Sequence, residues 1–262
     1  MTSKTEPRLL CYDLGEGVTA FSTTRHGGVS EANYASFNIN PYCGDSADHV
    51  ARNRQLLADR LGLPASHIVL PHQVHGIEHR AVAPELLDMS DAVRDKILDG
   101  VDMVTTSMTG VCIGVSTADC IPVLLYDPVA RATAAIHAGW RGTLQRICQR
   151  AVMAMQLHYG TTPDRLRAVV GPGISLANFE VGQEVYDQFV QAGFDLTETA
   201  EWHTKWHLDL PGINIRELIG CGVVPEHIHH AGICTFDHAD DYFSARRLGI
   251  DSGRIYTGIL MQ

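Results

Sequence analysis

No apolar run in this 262-residue sequence approaches the length of a membrane span, and the N-terminus MTSKTEPRLLCYDLGEG lacks the continuous apolar core of a secretory leader. A soluble, cytoplasmic protein with no membrane partner is expected. Basic residues are few: 20 Lys and Arg stand against 30 Asp and Glu, a formal net charge of −10. With no Lys/Arg-rich stripe to overturn that balance, a nucleic-acid partner is not expected, whereas a small anion such as phosphate needs only a local arginine cluster. No CxxC pair occurs, which removes support for a thioredoxin-type redox centre or a zinc ribbon. The seven cysteines are odd in number and irregularly spaced, the pattern of reduced thiols buried as small apolar groups. Repeats, low-complexity tracts and Pro/Gly/Ser-rich linkers are absent too. One domain over residues 1–262 is therefore expected, with 1–10 poorly ordered. At 45% apolar and 19% charged residues it can bury one large core. No coiled coil or exposed apolar strip is readable, so a monomer is expected.

What is present is a run of short apolar strands interrupted by a few helices. Residues 18–24 read as a strand entering the turn Arg25-His26-Gly27-Gly28. Asp45 or Ser46 can cap a helix to Leu61, with Val50, Leu56, Leu57 and Leu61 on one stripe and Gly62 as its stop. Strands are predicted over 68–74, 77–82, 101–105, 111–116, 123–126, 131–137 and 166–170. A helix is predicted over 140–158, because Leu144, Ile147, Cys148, Ala151, Val152 and Met155 recur at helical spacing. Helices over 181–191 and 213–220 and strands over 206–210, 227–231 and 254–260 follow, with a weakly patterned stretch at 193–204. Strands arrive in twos and threes and do not alternate with helices. That favours an α+β layered protein with mixed sheets over a doubly wound parallel sheet.

Three segments carry chemistry: Gln73-Val74-His75-Gly76, Thr117-Ala118-Asp119-Cys120 and His137-Ala138-Gly139-Trp140-Arg141-Gly142. Each puts a metal-ligand side chain at the end of an apolar run, beside a small or turn-forming residue. Taken singly, each is a packing residue at a turn. Taken together, His75, Cys120 and His137 make a two-imidazole, one-thiolate set suited to Zn²⁺ with one coordination position open. Such a set is catalytic only if the fold brings the three together. His72 lies three residues before His75, a spacing that sends two strand side chains to opposite faces. His75, next to Gly76, is the expected ligand and His72 a surface or packing residue. His227, His229 and His230 form one H-x-H-H run on a short strand and read as structural. Arg141 at a helix start favours an anion. A second constellation, Arg25 in its glycine turn, Asn38 in Ser36-Phe37-Asn38, and Arg54 in Asn53-Arg54, could clamp phosphate or a ribose.

The segments STTRHGGVS, SFN, GD, NR, QVHG, DMVTT, TADCIPVLL, AAIHAGWRGT, GPGIS and FSARR occur in one order, and that order resembles the YfiH family, also described as multicopper polyphenol oxidase (laccase) or peptidoglycan editing factor. The resemblance spans nearly the whole chain. It implies a four-layer α/β/β/α fold with mixed sheets, related to the cytotoxic necrotizing factor type of cysteine hydrolases. It implies a His-Cys-His zinc site falling on His75, Cys120 and His137, with copper binding also attributed to the family. It implies purine nucleoside phosphorylase activity on adenosine, inosine, guanosine and S-methyl-5′-thioadenosine, with adenosine deamination beside it. The sequence departs from the family pattern FFSYRRDG-x-TGR. Ala245 and Leu248 replace its Tyr and Asp, and the spacing that follows is longer.

Two alternatives stay open at this point. Cys120 as nucleophile with His137 as base would make an amide hydrolase acting in peptidoglycan-precursor editing. A copper-dependent polyphenol oxidase is the other, although multicopper oxidases need several H-x-H pairs and one is present.

Overall fold

A computed structural model describes residues 5–262. Two mixed sheets make the body of the fold. The first runs Leu9–Tyr12, Val18–Thr23, Ile255–Met261, Cys112–Thr117, Ile68–Val69. The second runs Ile228–His230, Arg167–Val170, Ile121–Asp127, Ala132–Ala138, Met103–Thr106, His79–Ala81. Their central pairs are antiparallel, whereas the Ile68–Val69, Ile228–His230 and His79–Ala81 edges pair parallel.

The period-two alternation of strand side chains sorts the core into layers. On the second sheet Ile121, Val123 and Leu125 face the helices Ile147–Tyr159 and Leu210–Gly220, while Leu124 and Tyr126 face the first sheet. On the first sheet Ala20, Ile113 and Ile259 meet that inner layer, while Phe21, Cys112 and Tyr256 turn outward onto Leu57 and Ala58 of the helix Ala47–Leu61. The result is the four-layer α/β/β/α arrangement that the motifs implied. Both sheets are buried on both faces, which is why their strands read as near-continuous apolar runs. A small third sheet, Glu180–Val181, Trp206–Leu208 and Ala200–Trp202, lies outside these layers and includes part of the weakly patterned 193–204 stretch. Among the described residues no helix is long and apolar enough to cross a membrane.

Most expected elements appear within a residue or two. The helix Ala47–Leu61 ends at Gly62 with φ +69°, the left-handed stop anticipated there. Three expectations need correction. The helix predicted over 140–158 is two, Trp140–Leu144 and Ile147–Tyr159, because Arg146 takes φ +61° and breaks the ladder between them. The strand predicted over 68–74 stops at Val69, and 70–78 runs as a loop from one sheet to the other. The N-terminal residues expected to be poorly ordered divide: 1–4 lie outside the described residues, but Leu9 and Leu10 open a strand registered on Thr23 and Ser22.

Candidate metal centre and its cavity

The chain crosses between the two sheets at the same end of the molecule twice, and each crossing carries one ligand. His75 lies on the 70–78 loop joining Ile68–Val69 to His79–Ala81. Cys120 lies on the 118–120 turn joining Cys112–Thr117 to Ile121–Asp127. His137 sits near the end of Ala132–Ala138, whose Ala138 pairs with Ile121. Their ligand atoms lie within 4.8 Å of one another, and the two imidazoles meet edge to face at 4.8 Å between centroids.

Asp102, ahead of the strand Met103–Thr106, holds this arrangement together. It is wholly buried. Its Oδ1 accepts from the His75 N–H at 3.0 Å and from His137 Nδ1 at 2.6 Å; its Oδ2 accepts from the Val74 and Gly76 N–H groups at 3.2 and 2.7 Å. Four donors around one carboxylate explain how His75 is kept at φ +62°, a conformation that costs a non-glycine residue about 1–3 kcal/mol unless its surroundings fix it. Burial pushes the Asp102 carboxyl up, but His137 and the loop N–H groups outweigh it and hold the group below the usual carboxylate range. With Nδ1 committed to Asp102, His137 presents Nε2 as its ligand atom.

Cys120 and His137 perturb one another. Burial raises the Cys120 thiol, yet His137, then His75, bring it down from 9.0 to about 6. Burial lowers His137, yet Cys120 and Asp102 take it up from 6.5 to about 9. Without metal, the pair is a thiolate beside an imidazolium. Gly139 makes room for it, since a Cβ there would stand 3.0 Å from Cys120 Sγ and 3.1 Å from His75 Cδ2. Asp119, next to Cys120, faces away: it has φ +87° and accepts from Thr235 Oγ1 at 2.7 Å and the Arg246 N–H at 2.6 Å, tying the turn to the C-terminal segment.

The three ligands line a cavity of about 440 Å³. Its other walls come from distant parts of the chain: Tyr42 and His72, stacked at 4.2 Å, and the C-terminal Ala245, Ile250, Asp251 and Arg254. Gln73 exchanges hydrogen bonds with the Ser116 backbone, Oε1 accepting at 2.8 Å and Nε2 donating at 2.9 Å, and so pins the ligand loop to the first sheet. His72 was expected on the surface. It is partly exposed and hydrogen-bonded to Asp99 at 2.6 Å, but it shares the cavity with His75 because the segment is a loop and the strand alternation does not hold.

The four expected anion-binding residues are dispersed. Arg25 donates to the Ala35 and Ala239 carbonyls at 2.8 and 2.6 Å and lies over the Phe243 ring. Asn38 is buried, bonding Asp45 with Nδ2 and accepting from the Arg254 N–H at 3.1 Å. Arg54 donates to the Ile68 carbonyl and lines a neighbouring cavity of about 540 Å³ that shares Tyr42 with the first. Arg141 is exposed and stacked on Trp140. None of the four lines the cavity beside the ligand set; Arg254 does. Sequence reasoning missed Asp102 and Arg254. The signal for Asp102 was slight: a carboxylate heading an apolar strand, between Val101 and Met103. His227, His229 and His230 join no metal-competent group among the described residues.

A family model described as multi-copper polyphenol oxidoreductase laccase matches residues 19–262. Over 247 residues the chain is 44% identical to a protein of Bacteroides thetaiotaomicron named purine nucleoside phosphorylase, covering 93% of this chain and 92% of that one. Over 248 residues it is 40% identical to a protein from an unknown prokaryotic organism named adenosine deaminase RL5, covering 93% and 94%. The crystal structure of Bacillus licheniformis hypothetical protein YfiH superposes with a TM-score of 0.91 at 27% identity, over 100% of this chain and 98% of that one. The chain belongs to this multi-copper polyphenol oxidoreductase laccase family, the YfiH family.

Proposed function

Proceeding from that membership, we propose that this chain is a zinc-dependent purine nucleoside phosphorylase acting on adenosine, inosine, guanosine and S-methyl-5′-thioadenosine, with adenosine deamination as a second activity. The observation that supports it best is the convergence of His75, Cys120 and His137, backed by Asp102, on one wall of a cavity of about 440 Å³. That volume is in the range of small-molecule sites. The residues fit a zinc ion on chemical grounds. One thiolate and two imidazoles form a three-ligand set with a position left open. The Asp102–His137 contact is the outer-shell carboxylate that zinc-binding histidines commonly use, and Gly139 leaves the sulfur uncovered. Copper could share these donors, but the further histidine pairs of a multicopper oxidase are lacking.

Bound there, zinc would supply Lewis acidity at the cavity wall. The chain's own residues supply the rest. Asp102 keeps the proton of His137 on Nδ1 and fixes the loop that carries His75. Tyr42 and His72 offer an aromatic wall to a purine. Phosphorolysis forms a bond from a phosphate oxygen to C1′ as the bond from C1′ to the purine nitrogen breaks, and its electron pair leaves with the base. Arg254 is the guanidinium on the cavity wall, and its charge offsets that of phosphate. Asn38 positions it, through the hydrogen bond from the Arg254 N–H. Arg54 stands one cavity away, behind Tyr42.

Metal-analysed protein incubated with adenosine, with and without phosphate, tests the assignment. Adenine and ribose-1-phosphate are expected only with phosphate, and inosine in either case. Both should vanish on chelation or in Cys120→Ala, and return to the chelated protein with zinc. A second reading rests on the Cys120–His137 pair, whose lowered thiol and raised imidazole are those of a cysteine hydrolase. Under that reading chelation raises amide cleavage and no nucleoside is consumed.

A further inference from the structure

Residues 249–253 join the short helix Ala245–Leu248 to the strand Ile255–Met261, in the stretch where this sequence is longer than the family pattern. The turn is fastened from within. Arg254 donates to the carbonyls of Ile250, Ser252 and Gly253 at 2.9, 2.6 and 2.9 Å, and Ser252 Oγ donates to the Gly249 carbonyl at 2.8 Å. Asn33 holds it from outside, its carbonyl accepting from the Gly253 N–H at 3.2 Å. Gly253 is seated so tightly on Phe243 that a Cβ would fall 2.4 Å from the ring. This frame presents Asp251 to the cavity.

The Asp251 carboxylate is exposed and makes no hydrogen bond or ion pair among the described residues; only its backbone carbonyl is engaged, by Asn33 Nδ2 at 3.4 Å. Other polar side chains on the wall are already committed: Asn40 Nδ2 to Ser116 Oγ, Gln73 to the Ser116 backbone, His72 Nδ1 to Asp99. An ionised carboxylate accepts and never donates. It therefore suits a ligand that brings two adjacent O–H donors, and a ribonucleoside carries them at the 2′ and 3′ positions. The stacked Tyr42–His72 pair offers its face to the base, which leaves the sugar for Asp251.

We propose that Asp251 accepts hydrogen bonds from the ribose hydroxyls and makes the protein select ribonucleosides over 2′-deoxyribonucleosides. The inference rests on the nucleoside reading of the cavity. It concerns a residue that the sequence pattern of the family does not supply.

Calorimetric titration of the zinc-loaded protein with adenosine, 2′-deoxyadenosine, 3′-deoxyadenosine and inosine tests it, alongside Asp251→Ala and Asp251→Asn and a thermal melt of each variant. Losing one hydrogen bond to a charged acceptor at an exposed site should weaken 2′-deoxyadenosine about tenfold relative to adenosine in the wild type. In Asp251→Ala adenosine should fall to the 2′-deoxyadenosine level while the ratio of adenosine to inosine affinity stays fixed. Asp251→Asn, which keeps one acceptor oxygen, should retain part of the preference. Equal binding of adenosine and 2′-deoxyadenosine by the wild type, a preference that survives in Asp251→Ala, or a change confined to the adenosine-to-inosine ratio would each overturn the assignment, as would failure of every nucleoside to bind. Phosphorolysis assayed in parallel separates the two claims. Ribose selection without turnover supports Asp251 and defeats the phosphorylase reading, whereas turnover without selection does the reverse.

Discussion

Replacing Asp102 by Asn keeps the shape of the side chain and removes what its environment requires. Each carboxylate oxygen accepts two hydrogen bonds: Oδ1 from His75 N–H and His137 Nδ1, Oδ2 from the N–H groups of Val74 and Gly76. Whichever way the amide is placed, its NH₂ group confronts two donors in a position with no access to solvent. Two buried donors left unmet at about 1–3 kcal/mol each sum to about 2–6 kcal/mol. At 2–4 °C per kcal/mol for a chain of this size, the lower end alone lowers the melting temperature by about 4–8 °C. The same substitution frees the His137 tautomer and the His75 loop, and loss of such an outer-shell partner weakens metal binding about 10- to 100-fold. Scanning calorimetry of chelated protein reads the first effect. Competition against a chromophoric zinc chelator reads the second, and activity should recover at raised free zinc. An Asp102→Asn protein that melts with the wild type and binds zinc as tightly would refute the role given to this carboxylate.

Two further outcomes follow from the geometry. Gly139→Ala fits its backbone, at φ −71° and ψ +167°, but sets a methyl 3.0 Å from Cys120 Sγ and 3.1 Å from His75 Cδ2; an overpacking cost of about 1–3 kcal/mol should appear with a zinc content well below one per chain, and full zinc occupancy would show that the site has slack there. His79 is lowered from 6.5 to about 4, first by burial and then by His158 and Arg80. The unfolded chain therefore takes up a proton near pH 6.5 that the folded chain refuses until about pH 4. Stability due to this residue is whole above that window and declines as pH falls through it. His79→Gln should flatten this part of the acid limb in denaturant midpoints measured between pH 7.5 and 4.5, and an unchanged slope would remove His79 as a contributor.

Local pattern carried much of this protein. The stripe Val50, Leu57 with Gly62 behind it gave the helix Ala47–Leu61 its course and its end, because helical spacing and a left-handed stop depend on neighbours a few residues apart. The apolar runs of the central strands and the turn residues beside His75, Cys120 and His137 were legible for the same reason. The break at Arg146 was not: the apolar stripe continues across it, and nothing in residue spacing announces a positive φ at an arginine. The anion-binding constellation was built from glycine turns and arginines near in sequence, and the fold disperses it, sending the Arg25 guanidinium to backbone carbonyls and bringing Arg254 to the cavity. Asp102, 27 residues from His75 and 35 from His137, meets both only because two crossings between sheets end on the same side. The sequence by itself determined which side chains could bind a metal and which segments are strand or helix, since those depend on side-chain chemistry and short-range periodicity. Tertiary structure alone decided which carboxylate orders the ligands, which arginine faces them and that Asp251 stands free in the same cavity, because those are facts about where sheet crossovers end and no short-range pattern encodes them.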